Sequence, residues 1–514
     1  MTASDWLKGS VSRLSGNKNK QNIVKEAVAG DLHTVVTTKK VANTVFTAQN
    51  DQTGQTGQKD KTGDVPAAGR STQERLKATL RQRQEALSPR VLRRTLEELK
   101  AVVDPRVSEV EGGRRAQGVA QWYGGAAPSE RRDMWLLMSE VFVADAQKTK
   151  AAQAQFAATV GTLDEAAAEV HYRRATVSPR RRLLQRFSAF PAGIRFLVDL
   201  RADMLAHVKV DKRLAALDVE MEYMFSTWFD VGFLELRRIS WDSPASLIEK
   251  LIKYEAVHDI KSWADVKNRL DSDRRCYGFF HPRLPDDPLI FVEVALTDSI
   301  TDCITPLLDE SADAADLSKA TTAIFYSISN TQAGLRGVSF GDSLIKRVVE
   351  TLKNEFPKLN TFATLSPIPG FRSWLAKNMS AMLAKLDDKT LSHLGRAVGF
   401  EPPATGHFLG ALDNVLALPE KSPIRTMLLA SAAHYLGQAM IDGAPLDPVA
   451  RFHLGNGARI ERLNWAGDPS AKGLKQSYGL MVNYLYDLKR LDRHRQALAV
   501  GKIPAAGSIE ALYL

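Results

Sequence analysis

The amino-acid sequence predicts an α+β protein, with an all-α domain over residues 73–230 followed by a mixed α/β domain over 231–514 that carries a helical insertion. Three observations support this division. Between 73 and 228 apolar residues recur at three- and four-residue intervals behind N-cap signals. After Gly232 the rhythm changes to short apolar runs bounded by Pro and Asp, as strands are. Between Ala323 and Leu365 a strand, a glycine-rich loop, a helix and a second strand follow one another, which describes a βαβ unit with parallel strands.

Composition narrows the class. The chain has 514 residues, 44% of them apolar and 25% charged, with a formal net charge of +10. These are the proportions of an ordinary globular protein, long enough to bury a large core without staples. Cys276 and Cys303 are its two cysteines, too few for a disulfide scaffold or a four-cysteine zinc site. No apolar stretch reaches the roughly 18 residues of a membrane span. The basic runs Arg131-Arg132, Arg173-Arg174, Arg180-Arg181-Arg182 and Arg274-Arg275 are scattered and lack interleaved aromatics. Nucleic acid is therefore not the expected partner. Solvated helix faces, or recruitment of a polyanionic small molecule, are the remaining readings.

Residues 1–72 are rich in Thr, Gln, Asn, Lys and Gly, as in Asn50–Gly57, and are expected to form a disordered extension. They contain no apolar core of about 7–15 residues such as a signal peptide needs. Asp5, Glu26 and Asp31 also disfavour a mitochondrial presequence, so the expected compartment is the cytoplasm. The first helix of the α domain is capped by Ser88 with Pro89 behind it, and it presents Val91, Leu92, Leu96 and Leu99. A later one is expected to start at Ser129 and to present Trp135, Leu136, Met138, Val141 and Phe142. Leu183–Met204 and Arg213–Phe229 repeat the pattern. In the second domain, strands are expected at Phe233–Ile239, Cys276–His281, Leu289–Leu296, Ala323–Ser329, Thr361–Leu365, Ala458–Trp465 and Leu480–Tyr486. Helices are expected at Ser246–Ala256, Phe340–Phe356 and within 372–440.

The loop after Ala323–Ser329 carries Gly334, Gly337 and Gly341 and leads into a helix. Glycine allows sharp turns and close approach of a ligand, and the free N–H groups of a first helical turn attract an anion. The spacing fits neither a P-loop nor a Rossmann turn. Arg336-Gly337-x-x-x-Gly341 between parallel strands is similar to the coenzyme A loop of GNAT-type acyltransferases. A glycine-rich turn without a ligand is the alternative reading.

Two further strings occur downstream, Ser366-Pro367-Ile368-Pro369-Gly370-Phe371 and Phe452-His453-Leu454-Gly455-Asn456-Gly457-Ala458. Together with Phe325–Ser329 and Gly341–Val349, they resemble malonyl-CoA decarboxylases over roughly residues 80–510. The resemblance implies a helical domain and a GNAT-like acyl-CoA-binding domain that converts malonyl-CoA to acetyl-CoA and CO2, as in fatty-acid metabolism. It implies no metal or organic cofactor, coenzyme A being part of the substrate. It also implies self-association, as a homotetramer. The family's catalytic serine matches Ser366 and its catalytic histidine matches His453. The substrate loop matches Arg336, Gly337, Val338, Ser339, Phe340, Gly341 and Asp342. Lys250 and Lys346 receive no role.

The residues suit such chemistry. Loss of CO2 leaves an enolate, which fixed donors stabilise and an acid protonates. Ser366, ending a strand before Pro367, could donate to the thioester oxygen or the carboxylate. His453 titrates near neutrality as a free imidazole and suits the acid role, with Asn456, Tyr326 and Tyr484 as candidates to orient it. The bland readings are a serine capping Pro-Ile-Pro and a core histidine. The hydrolase elbow Gly-x-Ser-x-Gly is absent around Ser366. His281, His393, His407 and His434 lack metal-ligand spacing. Cys276 is either activated by Arg274-Arg275 or an inert strand residue. An acetyltransferase on the same fold, or a non-catalytic acyl-CoA sensor, remains as an alternative function.

Overall fold

A computed structural model describes residues 88–513 apart from 339, 341–343 and 402. The expected extension over 1–72, and Ser339, Gly341 and Asp342 of the loop, lie outside the described residues.

Eight α-helices between Pro89 and Trp228 build the N-terminal part. Ser88 accepts a hydrogen bond from the amide of Val91 and caps the helix Pro89–Val103. The expected cap at Ser129 is displaced by two residues. The helix Pro128–Glu140 begins at the proline, whose missing N–H and fixed φ suit a first helical position, and Glu130 accepts the amide of Ala127 at 2.8 Å. The stretch Leu183–Met204 divides into Pro179–Ala189 and Gly193–Val208. The chain reverses at Pro191-Ala192, with Ala192 at φ +61°. A Cβ on Gly193 would lie 2.0 Å from the carbonyl oxygen of Phe187, so only glycine fits this turn.

The C-terminal part is one mixed sheet with helices on it. Its strands are β1 (Glu235–Ile239), β2 (Arg274–His281), β3 (Leu284–Thr297), β4 (Thr322–Asn330), β5 (Thr361–Thr364), β6 (Ser366–Pro367), β9 (Arg459–Asn464) and β10 (Met481–Leu485). The short strands β7 (Met440–Ile441) and β8 (Ala444–Pro445) form a separate hairpin. The order is β1-β2-β3-β4-β5-β10-β6, with β9 on β10. As expected, β4 and β5 are parallel, and the helix Leu344–Glu355 lies between them in sequence. The other pairs are antiparallel. Both faces of β2 and most of β3 are buried, which is why Cys276–Phe280 and Leu289–Val292 within them read as apolar runs and not as alternation. Residues 371–437 form the helical insertion, with helices Phe371–Leu383, Asp388–Val398, Thr405–Ala411 and Pro423–Gly437.

The parallel pairing of β4 runs only from Thr322–Thr361 to Phe325–Thr364. Past Phe325 the chains separate: β4 continues on β3 to Asn330, while Ser366 and Pro367 pair with β10. This split in the sheet opens the central cavity.

The two parts share one core. Leu197, Val198 and Leu200 belong to the same buried cluster as Leu335, Val338 and Phe340. A Cβ on Gly334 would lie 1.9 Å from the carbonyl oxygen of Val198, so glycine here lets the loop turn lie directly on helix Gly193–Val208.

Candidate active site

A cavity of about 480 Å³ occupies the split, a volume typical of small-molecule sites. The β4 edge from Phe325 to Ile328 forms one wall, and Val338, Phe340 and Leu344 close the loop side. Ser366, Phe452, His453 and Asn456 complete its lining. Ser366 and His453 are 5% and 4% exposed, and Oγ of Ser366 lies 3.2 Å from Nε2 of His453. The two residues singled out in the sequence are thus brought into hydrogen-bond contact.

Local structure fixes each of them. Ser366 follows β5, and its hydroxyl donates to Oγ1 of Thr364 at 2.8 Å; that oxygen also accepts the amide of Tyr484 at 3.1 Å. His453 lies on the helix Pro448–Gly455. Asp447 caps this helix by accepting the amides of Val449 and Ala450, both at 2.9 Å, and takes a third bond from the hydroxyl of Tyr435 at 3.2 Å. The Tyr435 hydroxyl also lies against Gly370, where a Cβ would come within 2.5 Å of it. The turn after Ser366 and the helix bearing His453 therefore meet at one buried phenol. At the other end of that helix, Gly457 at φ +87° reverses the chain, and the amide of Ala458 donates to the carbonyl of His453 at 3.1 Å.

The orienting partner of His453 is Tyr486, whose Oη lies 2.8 Å from Nδ1. Tyr484 instead stacks on the imidazole, with ring centroids 4.8 Å apart. Asn456 donates to the carbonyl of Phe452, and Tyr326 forms a cavity wall. Tyr486 escaped the sequence reading. The available signal was its i+2 relation to Tyr484, since alternate residues of an extended chain share a face.

The hydrogen-bond pattern assigns the tautomer. Ser366 spends its proton on Thr364, so its oxygen accepts from Nε2–H. The bare Nδ1 then accepts from the Tyr486 hydroxyl. Burial alone drives the pKa of His453 down to about 3. This corrects the expectation of a group titrating near neutrality, because taking the ring out of water penalises its cationic form. At pH 7 His453 is a neutral imidazole with its Nε2 proton facing the cavity. Burial also pushes the phenol of Tyr486 well above its ordinary value.

The loop is held from the helical part. Arg201, 1% exposed, donates through Nη1 to the carbonyls of Gly334 at 2.8 Å and Arg336 at 3.0 Å, while its Nε donates to Asp218 at 2.8 Å. Satisfying the loop's carbonyls fixes its path. Arg336 and Gly337 are exposed, Gly337 at φ +83°, whereas Val338 and Phe340 line the cavity. Arg347 is structural, its Nη1 donating to the carbonyls of Val231 and Leu234. On the opposite wall the Glu255 carboxylate accepts bonds from the hydroxyls of Ser327 and Ser329 and from the amides of Val257 and His258. This ties down β4 where it has left β5.

Other sequence candidates lie elsewhere. Lys250 pairs with Asp287, and Lys346 is exposed. Cys276 is buried in β2, and burial raises its thiol pKa well above the usual value, which makes it inert. Among the described residues no group of three or more His, Cys, Asp or Glu is placed to hold a metal ion. No helix among them is long and apolar enough to cross a membrane.

Comparison with known proteins identifies the family. Residues 232–513 match the malonyl-CoA decarboxylase C-terminal domain and residues 142–229 its N-terminal domain. The mitochondrial malonyl-CoA decarboxylase of Anser anser anser is 37% identical over 400 residues, covering 73% of this chain and 78% of the relative. That of Rattus norvegicus is 39% identical over 337 residues, covering 63% and 68%. The crystal structure of malonyl-CoA decarboxylase from Rhodopseudomonas palustris superposes with a TM-score of 0.71 at 40% identity, covering 82% of this chain and 99% of that one. The enzyme from Cupriavidus metallidurans gives 0.68 at 43% identity, covering 82% and 100%. Spanning both domains of these enzymes, the chain belongs to the malonyl-CoA decarboxylase family.

Proposed function

We propose that the chain decarboxylates malonyl-CoA to acetyl-CoA and CO2, with Ser366 and His453 acting on the malonyl group. The carrying observation is the 3.2 Å contact between these side chains in a cavity that residues of the glycine loop also line. The loop, from Arg336 to Asp342, binds the coenzyme A diphosphate, and the apolar walls take the pantetheine arm.

When the C–C bond breaks, its electron pair passes to C2 and the thioester oxygen. The Ser366 hydroxyl, released from Thr364, donates to that oxygen; one such donor lowers a barrier by about 3–4 kcal/mol. His453 gives its Nε2 proton to C2 while Nδ1 takes the proton of Tyr486, so the imidazole is never left as an anion. The thioester is the electron sink, and the chain's residues are read as sufficient without an added cofactor.

The test is incubation of the full chain with malonyl-CoA while acetyl-CoA is followed. Steady production that His453→Ala abolishes supports the reading; no turnover above background ends it.

We also propose assembly into a homotetramer through the helical part. There Leu163, Val170, Val219 and Tyr223 stand exposed, and light scattering would measure the mass.

A further inference from the structure

Each decarboxylation consumes one proton: a C–C bond at C2 becomes a C–H bond, and the departing carboxylate leaves as neutral CO2. In the reading above, on which this inference rests, that proton comes from Tyr486 through His453. The relay must be recharged once in every turnover, and as long as a thioester is bound it fills the cavity in front.

Behind the relay lies a second, smaller cavity of about 50 Å³, and Tyr486 forms part of its wall. Its other polar lining residues are Lys346, Asn456 and Arg495. A water needs roughly 10–15 Å³ of such volume, so the space holds a few. Asn456 lines both cavities. Its Nδ2 is engaged by the carbonyl of Phe452, whereas its Oδ1 is buried and has no protein partner among the described residues. A buried amide oxygen in this condition costs about 1–3 kcal/mol unless water satisfies it. Lys346 is exposed and Arg495 partly so, which sets them at the outer side.

We infer that the small cavity is the proton inlet of the reaction, holding water that re-protonates Tyr486 from the side away from the substrate. The steps balance. C2 takes the hydrogen of Nε2, and Nδ1 takes that of the Tyr486 hydroxyl. The phenolate takes a proton from a water in the cavity, and the hydroxide left behind takes one from bulk solvent. Asn456 Oδ1 anchors the inner water. Lys346 and Arg495, the latter paired with Asp492 at 3.0 Å, stand where this path meets solvent.

Two substitutions fill this cavity without touching the front one. Val349→Phe acts from the buried wall, and Leu488→Trp acts from a position 39% exposed that tolerates a larger ring even if the first variant does not fold. With the full chain and saturating malonyl-CoA, kcat is expected to fall about ten-fold or more, on the scale of lost acid–base assistance. The affinity for acetyl-CoA stays at the parental value, and the solvent deuterium isotope effect on kcat rises because proton supply becomes limiting. Added to Tyr486→Phe, the filling substitutions cause no further loss, since both act on one path. Parental kcat and parental isotope effect in Leu488→Trp overturn the inlet. A parent chain that makes no acetyl-CoA overturns the proposed function instead, so the two failures are distinguishable.

Discussion

The Oη of Tyr486 lies 2.8 Å from Nδ1 of His453, and both side chains are buried. That contact, with the serine on the opposite nitrogen and its own proton given to Thr364, uses both nitrogens of the imidazole. Nδ1 accepts, Nε2 donates, and the proton available to substrate is carried by a neutral ring.

Tyr486→Phe removes the donor to Nδ1, so decarboxylation by Nε2–H would have to leave an imidazolate. We expect kcat to drop about 10²-fold or more while acetyl-CoA binding is retained. In the parent, kcat should show no limb near pH 6.5 from His453, because its charging is displaced to about pH 3. A pH–rate profile from 5 to 8 checks this; a limb at pH 6–7 contradicts it.

Two buried imidazoles make stability acid-sensitive. Burial lowers His453 to about 3 and His258 to about 4. In the unfolded chain both titrate near 6.5. Below that pH the unfolded state takes up protons that the folded state refuses, so stability is full above about 6.5 and declines as pH falls toward the folded values. Each group contributes up to about 1.4 kcal/mol per pH unit in that window. Urea denaturation at pH 7.5, 6 and 5 measures the slope, which His258→Gln should make shallower.

Arg201 is a positioning residue that acts through the loop. Arg201→Met strands the carbonyls of Gly334 and Arg336 and the carboxylate of Asp218, a loss of about 3–5 kcal/mol in stability. Arg201→Lys keeps the charge but not the fork that reaches three oxygens. We expect it to fold and to raise KM for malonyl-CoA about ten-fold with kcat much less changed, since the loop binds but does not react. Equal losses in kcat and KM would count against this role.

Gly370→Ala tests the joint between the serine turn and the histidine helix. Gly370 sits at φ −92°, which alanine adopts freely, so any cost comes from the Tyr435 hydroxyl in its way. Overpacking of this kind costs about 1–3 kcal/mol. Here it should also displace the Asp447 cap and lower kcat. Tyr435→Phe removes the clashing oxygen, so the double variant should recover part of the loss. Additive effects in a thermal-denaturation cycle would contradict the coupling.

Much of this architecture is legible along the chain. The cap at Ser88, the βαβ succession and the glycines of the loop are short-range signals, and the helix and strand assignments they support hold within a few residues. The displaced cap at Ser129 shows the limit even of local rules, since Pro128 overrides a favourable hydroxyl. Ser366 and His453 stand out as motif residues, but their contact spans 87 positions, and the loop's grip by Arg201 spans 133 and 135. No periodicity records such a distance.

The sequence by itself determined most of the longer helices and strands, where a ligand loop would lie, and which hydroxyl and imidazole were worth attention, but not the short helix Pro448–Gly455 that carries His453. These follow from backbone sterics, capping and side-chain spacing, which act over a few residues. Tertiary structure alone decided that Tyr486 and not Tyr484 bonds the imidazole, that His453 stays neutral at pH 7, and that the helical part secures the loop. Desolvation and long-range hydrogen bonding arise only when distant segments exclude water together, and so they belong to the packed molecule and not to any stretch of it.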